Sequence, residues 1–384
     1  MARLGGEPRP QRAQVVLLGT GPGSPLLLTQ IAHQYLTCTD PSSPFYVDLF
    51  LSDKLVPSPI LDLIPPSRRA RTSTGAVLGV VDPARPWGDT ARGADCVHIA
   101  RKFPGNAEAS QEELYDLGLA ALRAGRRVAR LKQGDPLVFG RVGEELLRFR
   151  SHGFEPVLVP GMSAALAGAG TAGLMLTMRG VAGGLSIGTG VGRGGKDEAV
   201  EPYERNKTRV LLMGVGRLAQ LVERMLAPRE ERGGAYPPHT PIAVVERGSL
   251  PDQRVISTTL SNVVRAMNDI GAHRPPAMLV IGWAVLALDA NNGKGDEDVL
   301  RGEGSSDAAP RSLKEDEHIV SNWLGPRGVR VREGLGEGWR ALEDHFRLLA
   351  QQQHVQAAPP ATVHETRDAP SLDVAGEGVA NLAS

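Results

Sequence analysis

The side chains best equipped for chemistry in this 384-residue chain stand just past short apolar runs. Val15–Leu18 leads into Gly19-Thr-Gly-Pro-Gly-Ser-Pro25, where three glycines let backbone N–H groups approach a ligand closely. A dinucleotide fingerprint wants GxGxxG opening directly into a helix, with an acid about 20 residues on. Here the third glycine comes one place early, and Pro22 and Pro25 interrupt the turn. That leaves a plain structural turn, or a site for some other ligand. The run through Phe50-Leu-Ser-Asp53-Lys54 puts an acid and a base at the carboxyl end of a strand, where open α/β sheets hold ligands; a lone loop acid also serves as a cap. The third junction is richer. Val128–Leu131 ends in Lys132-Gln133-Gly134-Asp135-Pro136, followed by Val138, Arg141 and Glu144. Pro136 fixes φ and Gly134 permits close backbone approach, so the loop is shaped rather than slack. Arg141 and Glu144 share a helix face, either as a surface ion pair or as a couple that meets a ligand. The second half repeats the theme with Val159-Pro-Gly-Met-Ser163-Ala164, Thr177-Met178-Arg179, Leu212-Met213-Gly214 and Val245-Glu-Arg-Gly248.

Charge and cysteine usage narrow the chemistry. Forty-three Lys+Arg balance 43 Asp+Glu, so no global field recruits nucleic acid or an anionic membrane, and any anion site is local. Cys38 and Cys96 form neither a CxxC nor a Cys/His cluster of metal-ligand spacing, so no metal is expected and reduced thiols suit a cytoplasmic location. The opening MARLGGEPRPQRA lacks the apolar core of a signal peptide, and no transmembrane-length apolar window follows.

The elements that must hold these residues come next. Runs at Val15–Leu18, Val128–Leu131, Val157–Val159, Val210–Met213, Ile242–Val245 and Met278–Ile281 alternate with helical-period stretches such as Ser110–Ala124 and Gly143–Ser151. This alternation predicts α/β layers. Residues 1–13 read as a flexible N-terminus, and the SHGFEP stretch at 151–156 predicts a boundary between an N-terminal α/β lobe, 14–153, and a C-terminal α/β lobe, 154–288. Two loop-like stretches, Thr72–Asp95 and Gly183–Asn206, interrupt them. Residues 289–384 are polar, charged and rich in Gly and Ser, which predicts a largely disordered tail. Within it Trp339, Leu342, Phe346 and Leu349 have helical spacing and predict a helix at 337–353.

In order, the motifs read GTGPGSP, SDKLVPSPILDLIP, ARKFPGN, LKQGDPLVFGRVGEE, VPGMSAA, TRVLLMG, VERGSLPDQRV and PPAMLVIG. Taken together they resemble the S-adenosylmethionine-dependent tetrapyrrole methyltransferases over roughly residues 14–288. The resemblance implies two α/β lobes with S-adenosylmethionine in the cleft between them, a homodimer, and C-methylation of uroporphyrinogen III at C2 and C7 to give precorrin-2 for siroheme synthesis. Another specificity within the family, a later precorrin or a diphthine-type substrate, is the alternative, as is a relative that binds ligand without turnover. Cofactor contacts are then implied at Pro22, Gln133, Gly134, Asp135, Val138, Ser163, Ala164, Met213 and Gly248. Asp53 resembles the proton acceptor and Lys102 the proton donor, while Arg141, Glu144 and Arg179 would meet the macrocycle. A carboxylate-rich substrate needs charge-assisted donors, and Arg141, Arg179, Lys54, Arg101 and Lys102 are the basic residues available near these motifs. Ser24, Gln133 and Met178 depart from the family's usual acid, glycine and histidine.

Overall fold

Parallel strands buried on both faces read as continuous apolar runs, and the first sheet is built from such runs. In the computed structural model, which describes residues 13–65, 96–100, 107–192, 199–228, 234–288 and 312–356, the strands β1 (Gln14–Gly19), β2 (Leu49–Ser52), β3 (Cys96–Ile99), β4 (Arg127–Lys132) and β5 (Val157–Val159) form a sheet of order β3-β2-β4-β1-β5. Every pairing in it is parallel. Alternate residues fill opposite faces. Val15, Leu17, Leu49, Leu51 and Val128 pack with α3 (Ala107–Arg123) and α4 (Val142–Ser151), while Val16, Leu18, Phe50, Ala129 and Leu131 pack with α1 (Gln30–Thr37) and α2 (Ser58–Leu61).

The predicted boundary at 151–156 moves. SHGFEP is an αβ connection rather than a linker: the N–H groups of His152 and Phe154 bond back to the Phe149 carbonyl at 3.0 and 3.1 Å, and Val157–Val159 then joins β1. The chain leaves the first sheet only after Val159 and enters α5 (Ala164–Thr171), whose Ala165 and Ala169 belong to the second core.

That second core surrounds a six-stranded sheet of order β11-β9-β8-β10-β7-β6, made of β6 (Gly184–Thr189), β7 (Lys207–Leu212), β8 (Pro241–Glu246), β9 (Arg254–Thr259), β10 (Ala277–Ile281) and β11 (Arg330–Glu333). Only β6 and β7 run parallel; the other neighbours are antiparallel. β6 falls inside the stretch expected to be loop. Its sequence GLSIGT offers little apolar signal, and every residue is half-buried. One face of the sheet packs on α6 (Leu218–Leu226) and α7 (Val263–Ile270), the other on α5 and α8 (Leu313–Leu324).

Within the stretch expected to be a largely disordered tail, the described residues 312–356 hold α8 and β11. Val320, Trp323 and Leu324 are buried with Val245, Val255 and Met278, and a capping box of Ser312 and Glu315 starts the helix. β11 forms the sheet's edge against β9, Arg330 opposite Ser257 through Glu333 opposite Arg254. The predicted helix at 337–353 is present as α9 (Glu337–Gln356). Residues through Glu343 belong to one compact unit, and Asp344 onward to a second. Thr72–Asp95 lies outside the described residues. Among the described residues no helix is long and apolar enough to cross a membrane.

Candidate active site

The carboxyl ends of β1, β4 and β5 lie side by side, and the three loops leaving them pack backbone against backbone. A Cβ on Gly19 would stand 2.6 Å from the Gly161 nitrogen, and one on Gly161 would stand 2.3 Å from the Gly134 carbonyl oxygen, so neither position admits a side chain. Gly21 and Gly134 exchange hydrogen bonds, Gly134 N–H to Gly21 O at 2.8 Å and Gly21 N–H to Gly134 O at 3.2 Å. Thr20 donates through N–H and Oγ1 to the Lys132 carbonyl. Gln133 Nε2 reaches the Pro22 carbonyl at 3.4 Å, so its side chain ties two of the loops together.

Facing them are the ends of β7, β8 and β10 from the second sheet. The two sets enclose a cleft with a cavity volume of about 280 Å³. All nine residues expected to contact the cofactor line it: Pro22, Gln133, Gly134, Asp135, Val138, Ser163, Ala164, Met213 and Gly248. Asp53 and Arg141 line it too. Three lining residues that are not glycine hold left-handed backbone, Phe139 at φ 54°, Arg141 at φ 55° and Met213 at φ 59°. Such conformations cost of order 1–3 kcal/mol each and gather where surrounding structure over-determines a site.

Not every expected residue is in the wall. Glu144 lies outside it and contacts Arg141 at 2.5 Å in an exposed pair. Arg179 is also outside. Met178 and Ala182 bridge across a tight turn that carries Arg179 and Gly180 on its exposed tip. Lys54 is exposed and does not line the cleft. Arg101 and Lys102 fall outside the described residues.

The structure adds charged groups that the strand pattern concealed. Arg130 and Lys132 occupy one face of β4, both almost fully buried. Lys132, at the cleft floor, donates to Glu145 Oε1 of α4 at 2.7 Å, and Arg130 Nε lies 3.6 Å from the same oxygen. Arg130 also faces Asp53 Oδ2 at 3.5 Å and bonds the Leu131 carbonyl at 2.8 Å and Gln111 Oε1 at 3.3 Å. Asp53 Oδ1 accepts from Leu55 N–H at 3.0 Å. Burial holds the Lys132 ammonium below the ordinary lysine range, against the opposing pull of Glu145. Two cations on a central strand are legible only once α4 is known to deliver a carboxylate to them. Among the described residues, no group of three or more His, Cys, Asp or Glu is arranged to hold a metal ion.

Comparison with known proteins places this geometry. The family of tetrapyrrole (corrin/porphyrin) methylases matches residues 14–264. The uroporphyrinogen-III C-methyltransferase of Saccharomyces cerevisiae is 40% identical over 275 residues, 72% of this chain and 39% of that protein. A probable uroporphyrinogen-III C-methyltransferase of Schizosaccharomyces pombe is 38% identical over 281 residues, 73% of this chain and 48% of that protein. The chain thus spans less than half the length of either fungal relative. Uroporphyrin-III C-methyl transferase from Thermus thermophilus, solved with S-adenyl homocysteine, superposes with a TM-score of 0.51 at 32% identity, covering 71% of this chain and 93% of that one.

Proposed function

Because the chain belongs to the tetrapyrrole methylase family, we propose that it methylates uroporphyrinogen III at C2 and C7 with S-adenosylmethionine, giving precorrin-2 for siroheme synthesis. The observation that carries this reading is the convergence of nine residues from five loops of both lobes on one cleft. The cleft suits the methyl donor. Val138, Val245 and Met278 offer aliphatic walls, and Gly134, at φ +74° with no atom closer than 4.0 Å to where a Cβ would sit, leaves room for a ligand on its side-chain face. When bound, S-adenosylmethionine supplies a methyl group already activated on a sulfonium sulfur, so alignment of the ring carbon is the main task left to the protein.

In this reading Asp53 accepts the proton that the methylated macrocycle releases, from a position braced by Arg130. Arg141 donates to the substrate's carboxylates or ring nitrogens at the cleft lip, with Glu144 fixing its guanidinium. Lys102 is assigned the returning proton, and Arg179 an outer carboxylate. The protein is read as a cytosolic homodimer. Leu137, Phe139, Met162 and Leu166, exposed apolar side chains on the loops around the cleft and on α5, suit a second copy. The test is incubation with uroporphyrinogen III and isotopically labelled S-adenosylmethionine, followed by mass analysis of the tetrapyrrole. Two labelled methyl groups per macrocycle are expected, and no label in the macrocycle overturns the reading. Sedimentation of the purified chain as a monomer would remove the dimer.

A further inference from the structure

A buried hydrogen-bond network joins the first cleft loop to a part of the chain beyond the region that the family matches. Ser24, two residues past Pro22 of the cleft wall, is 2% exposed. Its hydroxyl accepts from Leu26 N–H at 3.2 Å and donates to Oε1 of Glu343, itself 5% exposed on the second turn of α9. The Ser24 N–H meets Ser249 Oγ at 3.2 Å, and Ser249 is the neighbour of Gly248 in the opposite wall. From Ser249 the network continues through its N–H to Gln253 Oε1 at 2.9 Å, and from Gln253 Nε2 to the Thr171 carbonyl at 3.1 Å. The Gln253 carbonyl accepts from Gly334 N–H at 2.6 Å. The 334–343 segment therefore reaches the Gly19–Pro25 loop directly at Ser24 and the Gly248 loop through Gln253, while the family match ends at residue 264. Ser249 holds φ 70° and Arg247 φ 50°, so the loop carrying Gly248 keeps a backbone that its surroundings must enforce.

We propose that Glu343 is a positioning residue for the methyl-donor cleft, acting through Ser24 to fix the Gly19–Pro25 loop against the Gly248 loop. The proposal rests on reading that cleft as the S-adenosylmethionine site. A carboxylate accepting from a buried hydroxyl makes one of the stronger hydrogen bonds a protein forms, and its loss lets the loop adopt positions that the ligand must then pay to reorder.

The test is calorimetric binding of S-adenosylhomocysteine to the full-length chain and to Glu343→Ala, Ser24→Ala, the double variant and Glu343→Gln. Each alanine variant should weaken binding about tenfold, and the double variant no more than Ser24→Ala alone, because that variant already removes the Ser24–Glu343 contact together with the Leu26 N–H bond. Glu343→Gln keeps an acceptor oxygen of the same shape and should recover most of the affinity. In turnover, KM for S-adenosylmethionine should rise while KM for uroporphyrinogen III stays within about twofold of wild type. Affinities within about twofold of wild type in both alanine variants overturn the proposal, as does a double variant weakened about a hundredfold. If Glu343→Ala does not fold, Ser24→Ala and Glu343→Gln carry the same decision. A wild-type chain that binds no S-adenosylhomocysteine would instead remove the methyl-donor reading itself, and this proposal with it.

Discussion

Replacing Lys132 by Met removes one partner from the most deeply buried charge cluster of the cleft. Glu145 is 7% exposed, its Oε2 has no hydrogen-bond partner, and its Oε1 would keep only Arg130 Nε at 3.6 Å. Stranding a buried carboxylate in this way typically costs 3–5 kcal/mol. The remaining guanidinium places Lys132→Met toward the lower end, about 3 kcal/mol, or roughly 4 °C in Tm for a protein of this size. Glu145→Met strands the ammonium and should cost a similar amount. Removing both leaves Arg130 with the Leu131 carbonyl, Gln111 and Asp53, so the double variant should lose less than the two singles added together. The pH dependence has a definite sign. Burial lowers the folded-state pKa of Lys132 below the 10.5 of an unfolded lysine, so between those two values the unfolded chain binds more protons and stability rises with pH. Lys132→Met should flatten that rise. Urea unfolding of the four proteins across the alkaline range measures both effects. Strict additivity of the two singles, or a single-variant loss under about 1 kcal/mol, would refute the coupled-pair account.

If the chain acts on uroporphyrinogen III as proposed, Arg141→Ala should lower kcat/KM for it roughly 30- to 1000-fold, a loss of about 2–4 kcal/mol in the transition state, while Arg141→Lys recovers little because a point charge does not reproduce the planar fork. The Arg141–Glu144 pair is exposed, so Tm should hardly move, and near-normal turnover of the alanine variant would take Arg141 out of the site. Trp323→Ala should cost about 3–5 kcal/mol, since Trp323 is 4% exposed and packs beneath Arg330; a thermal midpoint within about 2 °C of wild type would show that α8 does not belong to the core. Burial pushes the Tyr115 phenol up to about 12 from 10.0, so the folded chain keeps it protonated where the unfolded chain does not, and stability should fall as pH rises between those values. Tyr115→Phe should abolish that part of the fall, and an identical alkaline profile in both proteins contradicts the assignment.

The glycine loops were legible in the sequence because each is a local event, a strand ending in residues that allow close approach. Their order then pointed to one cleft. The cations of β4 were not legible, because Arg130 and Lys132 look like the outward face of a half-exposed strand until α4 supplies Glu145. α8 was hidden by averaging. LKEDEHIVSNWL is polar overall, yet its buried residues Asp316, Val320, Trp323 and Leu324 form one stripe, and the acid in that stripe meets Arg205 at 2.9 Å. The edge strand RVRE reads as a charged loop because three of its four residues are exposed and its pairing partner, β9, lies far back in the chain. What sequence reading missed is the set of elements whose burial depends on distant partners.

The interior place of β1 in its sheet has a consequence for biogenesis. β1 precedes both of its sheet partners, β4 and β5, in the chain, Val16 lying opposite Ala129 on one side and Val157 on the other. At about 5–20 residues per second, roughly seven to thirty seconds separate the synthesis of β1 from that of its second neighbour. Until β4 has been made the apolar run Val15–Leu18 has neither of its sheet partners, and its other edge stays open until β5 follows, so chaperone capture of nascent chains should fall once Val159 has emerged.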